Sequence, residues 1–446
     1  MSAEEDKPPE FIQKETSVLE EFEDIFFKNE TMSLSIKEGL FGGLAQSLAD
    51  QFITPYALSL QATDTQIGIM SSLLGILSPI GQIAGSNLMK KNTRRSLILR
   101  SVFLQLIVWP LIILLGIFAL NNWFLSFLPI FLIIFYCLYS FFGSIGGPSW
   151  FSLMGDIVPE SHRGRYFSKR NLFITAISIS VSLLSSIALE RFLDINKVFL
   201  GFSIIFFIAF ISRVLSRYLL ARHYYPSFKI EEKSYISLKK FIKLMRNNNF
   251  GFFTLFMTLI FFSVNIGAPF VGVYMWVILK FTPLEYVIVN LSTPLLGMLF
   301  YPLLGYLSDR FGNAFVLKIC CLILPIVPIL WIAMNTPLQL IFGPQLVSAF
   351  TWTGVNLTAS NFIYDNVSSQ ERGFYVSYYS LFLGIGVLFG GIFGTILLSI
   401  VPVIFVSVYE TLFLISCLFR LFFDFIFLYR IKEVRIKRRG YQKFSQ

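Results

Sequence analysis

Twelve long apolar runs alternate with short polar segments along the chain. They cover residues 36–59, 66–89, 97–120, 124–153, 171–190, 198–220, 250–279, 285–307, 315–334, 338–363, 374–401 and 404–429. A helix of about 20 apolar residues crosses the hydrocarbon core of a bilayer with every backbone group paired. The pattern therefore predicts an all-α polytopic membrane protein with about twelve transmembrane helices. The weakest break lies near Pro402, where the last two runs are almost continuous.

Composition agrees with this pattern. The chain is 55% hydrophobic and 14% charged, with a mean hydropathy of +0.70. Soluble domains carry roughly 25% charged residues, so a water-soluble fold is excluded. The net charge of +10 also suggests nucleic acid as a partner, but the basic residues lie in the loops between apolar runs. We therefore expect a lipid bilayer, and no nucleic acid, as the partner of these charges.

The distribution of lysine and arginine predicts the orientation. Of the 36 basic residues, one set of loops contains only Arg191, Lys197 and Lys280, whereas the other set, together with both termini, holds most of the rest. Basic residues concentrate on the cytoplasmic side of membrane proteins. Both termini are therefore predicted to be cytoplasmic, and the plasma membrane is the expected location.

This layout divides the chain into five segments. They are a cytoplasmic N-terminal tail with an amphipathic helix (1–35), a first six-helix bundle (36–220), a cytoplasmic linker with a basic amphipathic helix (221–249), a second six-helix bundle (250–429) and a basic cytoplasmic tail (430–446). Helical spacing of apolar residues supports both amphipathic helices. An unstructured N-terminal tail is the alternative for the first segment.

Two similar loops indicate that the halves are repeats. Asp156, Arg163 and Gly164 recur as Asp365, Arg372 and Gly373 at an offset of 209, and Arg213 near the end of the sixth run recurs as Arg420 at an offset of 207. Parallel six-helix repeats place a substrate site near the bilayer midplane, between the halves. Arg420 and Asp424 also stand four residues apart near a helix end, which favours a local ion pair.

The loop between the eighth and ninth runs carries a motif. Gly305, Asp309, Arg310 and Gly312 form the sequence GYLSDRFG, which resembles the cytoplasmic loop signature of the major facilitator superfamily. The paired loops and the six-plus-six layout are similar to that family too. The resemblance implies two pseudo-symmetric six-helix bundles that rock around a central cavity and open alternately to each side.

The motif also suggests a mechanical role for its charges. Gly305 would permit a close helix approach, and Asp309 could face the positive end of the eleventh span. Asp365 and Arg372 would complete an ion network that latches the cytoplasmic side. In the first half, Met89 stands where the acid is expected, so the second half is predicted to carry the latch. The alternative is that these charges only mark topology.

Asp50 is the strongest candidate for a functional residue within a span. It lies near the predicted midplane of the first span, with Gln46 and Thr54 one turn away on the same face. An ionisable group at that depth indicates a proton- or cation-coupling site. A structural hydrogen bond and a substrate contact are the alternatives. No Lys, Arg or His is expected at the same depth to pair with it.

Amide side chains supply weaker candidates for the cavity. Asn265, Asn356 and Asn361 are predicted to face it, together with Gln82, Gln105, Asn290 and Gln345. Each of these amides has the alternative of an interhelical hydrogen bond. No metal site and no cofactor are predicted, because the four cysteines lie singly or as a pair inside apolar runs.

These features predict a secondary active transporter of a small organic solute, acting as a monomer by alternating access, with a proton or another ion as the expected coupling partner. The direction of transport, import or export, is not predicted. An enzyme is not expected, because His162 and His223 are the only histidines and both lie in loops. The alternative is a membrane protein that does not transport: a transporter-like receptor, an assembly factor or a lipid-handling protein.

Overall fold

The structure is a computed structural model that describes residues 10–159, 163–226, 238–245, 249–366 and 372–433. Within these ranges the regular structure is entirely helical, with no strand. Ten helices among them are long and apolar enough to cross a membrane. The prediction of an all-α integral membrane protein is therefore confirmed.

The first half of the chain forms six long helices joined by short turns. They are α1 (Glu10–Ser59), α2 (Asp64–Leu88), α3 (Arg94–Leu120), α4 (Leu128–Ile157), α5 (Arg163–Asp194) and α6 (Val198–Ala221). Threonine caps set two of the starts, because the hydroxyls of Thr63 and Thr93 each accept a hydrogen bond from the backbone N–H three residues on. Such caps satisfy donors that a first helical turn leaves without partners.

The second half uses more and shorter helices. They are α7 (Leu238–Met245), α8 (Asn249–Asn265), α9 (Ala268–Val273), α10 (Pro283–Phe311), α11 (Asn313–Ile323), α12 (Ile326–Ala333), α13 (Pro337–Leu340), α14 (Leu346–Asn366), α15 (Arg372–Ile400) and α16 (Val408–Phe427). π-Helical segments follow α9, at Tyr274–Ile278, and join α13 to α14, at Ile341–Gln345. Three predicted spans are therefore assembled from shorter pieces.

Two of the twelve predicted spans are not among the ten apolar candidates, although both are helical. The first lies within α1, and the tenth runs through α13, the π-helical segment and α14. Lys37, Glu38 and Asp50 make α1 polar, and α14 is rich in Ser, Thr and Asn. Polar residues at membrane depth normally face a bundle interior or a cavity, so apolar content alone does not identify these helices.

Each half packs mainly within itself. In the first half α1 contacts α5 and α6, α3 contacts α4 and α6, and α2 contacts α4. In the second half α8 contacts α15 and α16, α14 contacts α10 and α11, and α12 contacts α16. Four pairs of helices in the described part of the chain join the halves: α2 with α15, α5 with α10, α2 with α9 and α1 with α9. The division at 220 and 250 into two bundles stays a prediction that this packing supports.

The N-terminal tail was expected to end at residue 35 and the first span to begin at residue 36, but no break separates them. α1 is continuous from Glu10 to Ser59. Its Thr31 and Ser35 are buried, and Tyr166 of α5 donates a hydrogen bond to the carbonyl oxygen of Met32 at 3.1 Å. The first span is thus extended by a helical segment that packs against the bundle.

The linker helix α7 was predicted to rest on lipid headgroups, and part of it packs on protein instead. The ring of Phe241 is 1% exposed and lies 5.4 Å from the ring of Tyr375 and 5.2 Å from that of Tyr378. Ile242 stays 46% exposed on the same helix. Residues 227–237 of the linker lie outside the described residues.

Gly312 is the residue of the GYLSDRFG loop that has the clearest structural requirement. It ends α10 with φ +99° and ψ 161°, and a Cβ there would overlap the carboxylate of Glu433. That backbone region is essentially restricted to glycine. We expect Gly312→Ala to lower the free energy of unfolding by about 1–3 kcal/mol, measured by thermal unfolding in detergent. Gly305→Ala is the control, because a Cβ at Gly305 would meet no described atom within 4 Å; equal losses in both variants would contradict the prediction.

Candidate functional site

A cavity of about 500 Å³ lies between the two halves of the molecule. The first half lines it from α1, α2 and α4, and the second half lines it from α8, α9, α10, α12, α14 and α16. Its polar lining consists of Asp50, Thr54, Ser71, Tyr136, Tyr286, Asn290, Thr293, Gln345, Ser348, Ser416 and Arg420. Sites between helical bundles that mix apolar walls with a few polar groups are typical of small-molecule binding.

Asp50 lines this cavity. Its carboxylate accepts a hydrogen bond from the hydroxyl of Tyr136 at 2.9 Å and a longer one from the Gln46 amide at 3.4 Å. Tyr136 comes from α4, so the contact ties two helices of the first half together. Thr54 lines the same wall one turn further along α1. Asp50 and Thr54 thus both line the cavity, whereas Gln46 reaches it only through Asp50.

The opposite wall holds a second set of polar groups. The Gln345 oxygen accepts a hydrogen bond from the Thr293 hydroxyl at 2.5 Å, and the Gln345 amide donates to the Val289 carbonyl at 2.9 Å. Gln345 ends the π-helical segment, which contains Pro344. Because proline lacks an N–H, it cannot continue the helical ladder, and π-segments are frequent at functional sites.

Broken helices bring backbone to the cavity as well. α8 ends at Asn265 and α9 begins at Ala268, so Gly267 and Pro269 lie at the break and line the cavity. In the first half, Thr54 faces the same cavity from beside Pro55, but α1 continues through this proline without a break.

Of the seven predicted amide residues, Asn290 and Gln345 line the cavity and five do not: Gln82, Gln105, Asn265, Asn356 and Asn361. Asn265 donates to the Phe261 carbonyl of its own helix at 2.8 Å, and Asn361 donates to the Asn313 side chain at 2.8 Å. Asn356 is exposed on α14, away from the lining. These positions were chosen from depth alone. The face of each helix that turns toward the cavity depends on packing, which depth does not determine.

Arg420 corrects two expectations. It lines the same cavity as Asp50, although no basic residue was expected at that depth. The predicted ion pair with Asp424 is also absent: neither carboxylate oxygen of Asp424 has a hydrogen-bond partner within the described part of the chain. Instead, Arg420 donates to the Leu324 carbonyl at 3.0 Å. The spacing permitted a local pair, but tertiary packing turns the guanidinium toward the centre.

A buried charge cluster that sequence reasoning missed lies within the first half. Glu38 is 6% exposed; it pairs with Arg170 of α5 at 3.2 Å and accepts a hydrogen bond from Ser216 of α6 at 2.9 Å. Arg213 donates to the Gln105 oxygen at 3.0 and 2.5 Å and to Ser216 at 3.2 Å. The cluster joins α1, α3, α5 and α6. A Glu close to the start of an apolar run was its only signal in the sequence.

The two halves close against each other at the end where α2 begins. Tyr409 of α16 donates a hydrogen bond to Asp64 of α2 at 2.5 Å. Glycines allow α2 and α15 to approach closely along their contact. A Cβ added to Gly68, Gly75, Gly384 or Gly391 would overlap the facing helix. These contacts join the two halves at one end of the molecule, which we call the Asp64 end.

The opposite end is more open. A Cβ added to Gly305 of α10, or to Gly147 or Gly155 of α4, would meet no described atom within 4 Å. The close helix approach predicted at Gly305 is therefore not seen in this conformation. Among the described residues, no side chain or backbone atom lies within reach of a Cβ at Gly305. Arg310 donates to the hydroxyl of Tyr306 on its own helix at 2.8 Å.

The charges of the predicted latch are only partly described. The side chains of Arg163, Asp365 and Arg372, and the surroundings of Gly164 and Gly373, lie outside the described residues. In the first half, Asp156 forms an ion pair with buried Arg94 at 2.5 Å, between α4 and α3. This half therefore has its own charge contact at the open end, and the latch by the second half stays a prediction.

His223 does not supply a titrating group near neutral pH. It follows α6 and is 5% exposed. Burial, with the positive charge of Arg170 nearby, lowers the pKa of the imidazole to about 4. It therefore stays neutral at pH 7. Among the described residues, no group of three or more His, Cys, Asp and Glu could hold a metal ion.

Comparisons with known proteins agree with this architecture. The profile of the Major Facilitator Superfamily matches residues 39–282 and residues 253–443, so it covers both halves. A search of curated proteins finds no match to the chain. Solved transporter structures share the fold across nearly the whole chain.

Three of these structures illustrate the similarity. A variant of the nucleoside transporter NupG has a TM-score of 0.65 at 17% identity and covers 90% of this chain and 100% of its own. A bacterial homologue of the iron transporter ferroportin, in an inward-facing state, has a TM-score of 0.65 at 16% identity, covering 90% and 98%. A POT family transporter in complex with 5-aminolevulinic acid has a TM-score of 0.63 at 15% identity, covering 91% and 95%. At such identities the likeness establishes the fold alone.

Proposed function

This chain belongs to the major facilitator superfamily and is a membrane transporter, and we propose that it moves a small organic solute by alternating access through the cavity between its halves. One observation carries the proposal. The halves are in contact at the Asp64 end, while glycines at the opposite end have space around them. Rocking of the halves would open the Asp64 end and bring the halves into contact at the opposite end.

We further propose that twelve helices cross the membrane, with α1 and α14 as the two polar spans. Both line the cavity, at Asp50 and Thr54 and at Gln345 to Trp352. That position accounts for their low apolar content. The basic loops support an orientation with both termini in the cytoplasm. The proposed location is the plasma membrane. In that orientation, the described state opens toward the cytoplasm.

Asp50 is the proposed coupling residue, with a proton as the coupling ion. Its carboxylate faces the cavity and is held by Tyr136, so the two states of access would present it to different solutions. A carboxyl group that exchanges protons with each side in turn links solute movement to a proton gradient. No enzymatic step is proposed, and a monomer suffices, because one chain contains the complete cavity.

A cross-link across the Asp64 end tests alternating access without knowledge of the solute. The Cβ of Ser72 and a Cβ built at Gly391 lie 3.2 Å apart, slightly less than the roughly 3.5–4.5 Å between the Cβ atoms of a disulfide, so a small helix movement would allow the bond. We propose the variant Ser72→Cys, Gly391→Cys, with Ser71→Cys as a reporter in the cavity. The native cysteines Cys137, Cys320, Cys321 and Cys417 are first replaced by alanine.

The reporter cysteine is labelled with a membrane-impermeant maleimide, applied separately from each side of sealed vesicles. Without oxidation, we expect labelling from both sides, because the cavity opens alternately. After oxidation, labelling from the side of the Asp64 end should be lost and labelling from the other side retained. A protein with Ser72→Cys alone controls for oxidant damage. Labelling from one side only, with or without the cross-link, would favour a receptor or assembly factor that does not cycle.

A further inference from the structure

Arg420 has the properties of a ligand-binding residue in the centre of the molecule. Building on the transport function proposed above, we propose that its guanidinium binds the carboxylate of the transported solute. The solute class is therefore a small organic monoanion or zwitterion with one carboxylate group. Nothing in the sequence pattern assigned this role, since the predicted partner of Arg420 was Asp424.

The guanidinium is buried and incompletely paired. Arg420 is 6% exposed and lines the cavity. It donates one hydrogen bond, to the Leu324 carbonyl at 3.0 Å, and its Nε has no hydrogen-bond partner among the described residues. An arginine carries five N–H donors. A buried charge without an acceptor is costly, so an acceptor that comes and goes with the solute accounts for this arrangement.

The nearby acids do not neutralise Arg420 by contact. Asp424 lies one helical turn away, and neither of its carboxylate oxygens has a hydrogen-bond partner in the described part of the chain. Asp50 is held by Tyr136 and Gln46 instead. Neither acid forms an ion pair with Arg420 within 4 Å. The positive group is therefore available to a carboxylate that enters the cavity.

The repeat-related arginine shows what a structural arginine looks like in this fold. Arg213 precedes Arg420 by 207 residues and occupies the equivalent place near the end of α6. It donates twice to the Gln105 oxygen, at 3.0 and 2.5 Å, and once to Ser216. Arg213 is thus paired with protein, whereas Arg420 faces the cavity. The arginine at this repeated position therefore bonds to neighbouring helices in the first half and lines the cavity in the second half.

The rest of the lining favours an organic monoanion over a polyanion. Arg420 is the one basic residue in the described lining of the cavity, and Asp50 adds a negative charge. A phosphate dianion would find too little positive charge there. Trp331, Trp352 and Phe413 supply apolar walls, which suit a hydrocarbon or aromatic body. One arginine binds a single carboxylate well, because its planar fork matches the two oxygens.

Binding of matched probes tests the proposal on the purified full-length protein. The probes are valerate and phenylacetate, their uncharged counterparts pentanol and 2-phenylethanol, the cation pentylamine and the zwitterion 5-aminovalerate. Quenching of tryptophan fluorescence reports binding, since two tryptophans line the cavity. We expect carboxylate probes to bind and the alcohols and the amine not to bind. Arg420→Gln should weaken carboxylate binding by about tenfold to a hundredfold, and Arg420→Lys should weaken it less.

The control variant is Arg217→Gln, on α6, where the guanidinium lies 5.3 Å from the ring of Phe103 and outside the cavity. It should bind the carboxylates as the unmodified protein does. Size-exclusion profiles and melting temperatures of all variants exclude misfolding as the cause of a loss. The proposal is overturned if no carboxylate binds, if the alcohols bind equally well, or if Arg420→Gln keeps full affinity. The cross-linking experiment tests alternating access independently of carboxylate binding. A failure of the binding prediction can therefore be distinguished from a failure of the proposed transport function.

Discussion

Asp50→Asn is expected to abolish the pH dependence of solute flux through this transporter. In vesicles with the unmodified protein, flux should change by up to about tenfold per pH unit on one side, as expected when one proton is coupled to each cycle. Asparagine keeps the size of the side chain and can still accept a hydrogen bond from the Tyr136 hydroxyl, but it cannot bind a proton in this range. The measurement is uptake of a carboxylate probe at a series of external pH values.

Tyr136→Phe separates a coupling role from a structural one. This variant removes the donor that lies 2.9 Å from Asp50 Oδ1 but keeps the carboxyl group. We expect its flux to stay dependent on pH, with the profile moved along the pH axis. Unchanged pH dependence in Asp50→Asn would rule out Asp50 as the coupling residue. Loss of pH dependence in both variants would indicate that the pair acts only as a link between α1 and α4.

Glu38→Ala is expected to have the largest effect on stability. Glu38 is buried, pairs with Arg170 at 3.2 Å and accepts a hydrogen bond from Ser216 at 2.9 Å. Removing one partner of a buried ion pair leaves the other charge uncompensated and costs about 3–5 kcal/mol. The measurement is chemical unfolding in detergent, followed by the fluorescence of the protein's tryptophans.

Two further variants make this prediction specific. The double variant Glu38→Leu, Arg170→Met removes both charges together and should recover most of the loss, because apolar replacement of a buried pair is often neutral. Lys37→Ala is the matched control, since its side chain is exposed in the adjacent position. It should change stability by no more than about 0.5 kcal/mol. A loss in the double variant as large as in Glu38→Ala would contradict the ion-pair explanation.

The sequence predicted part of the candidate site, and Asp50 is the clearest example. Asp50 and Thr54 were predicted from depth and spacing in the first run, and both line the cavity. The same reasoning failed for Asn265 and Asn361, which bond to neighbouring groups within the second half. Depth along a helix follows from counting residues. The direction in which a side chain points depends on how helices rotate against one another, and a run that is apolar on most faces carries little information about that rotation.

The sequence by itself determined the class of fold and the helical spans of most of the chain, and it predicted two related halves. Each depends on local properties: apolar length, the position of basic loops and repeated motifs. Only the tertiary structure decided that Arg420 faces the cavity without Asp424, that the cluster around Glu38 joins four helices, and that the halves meet at the Asp64 end. These contacts join residues that are far apart in the chain. Their formation depends on packing between helices, which no local pattern of hydrophobic and polar residues specifies.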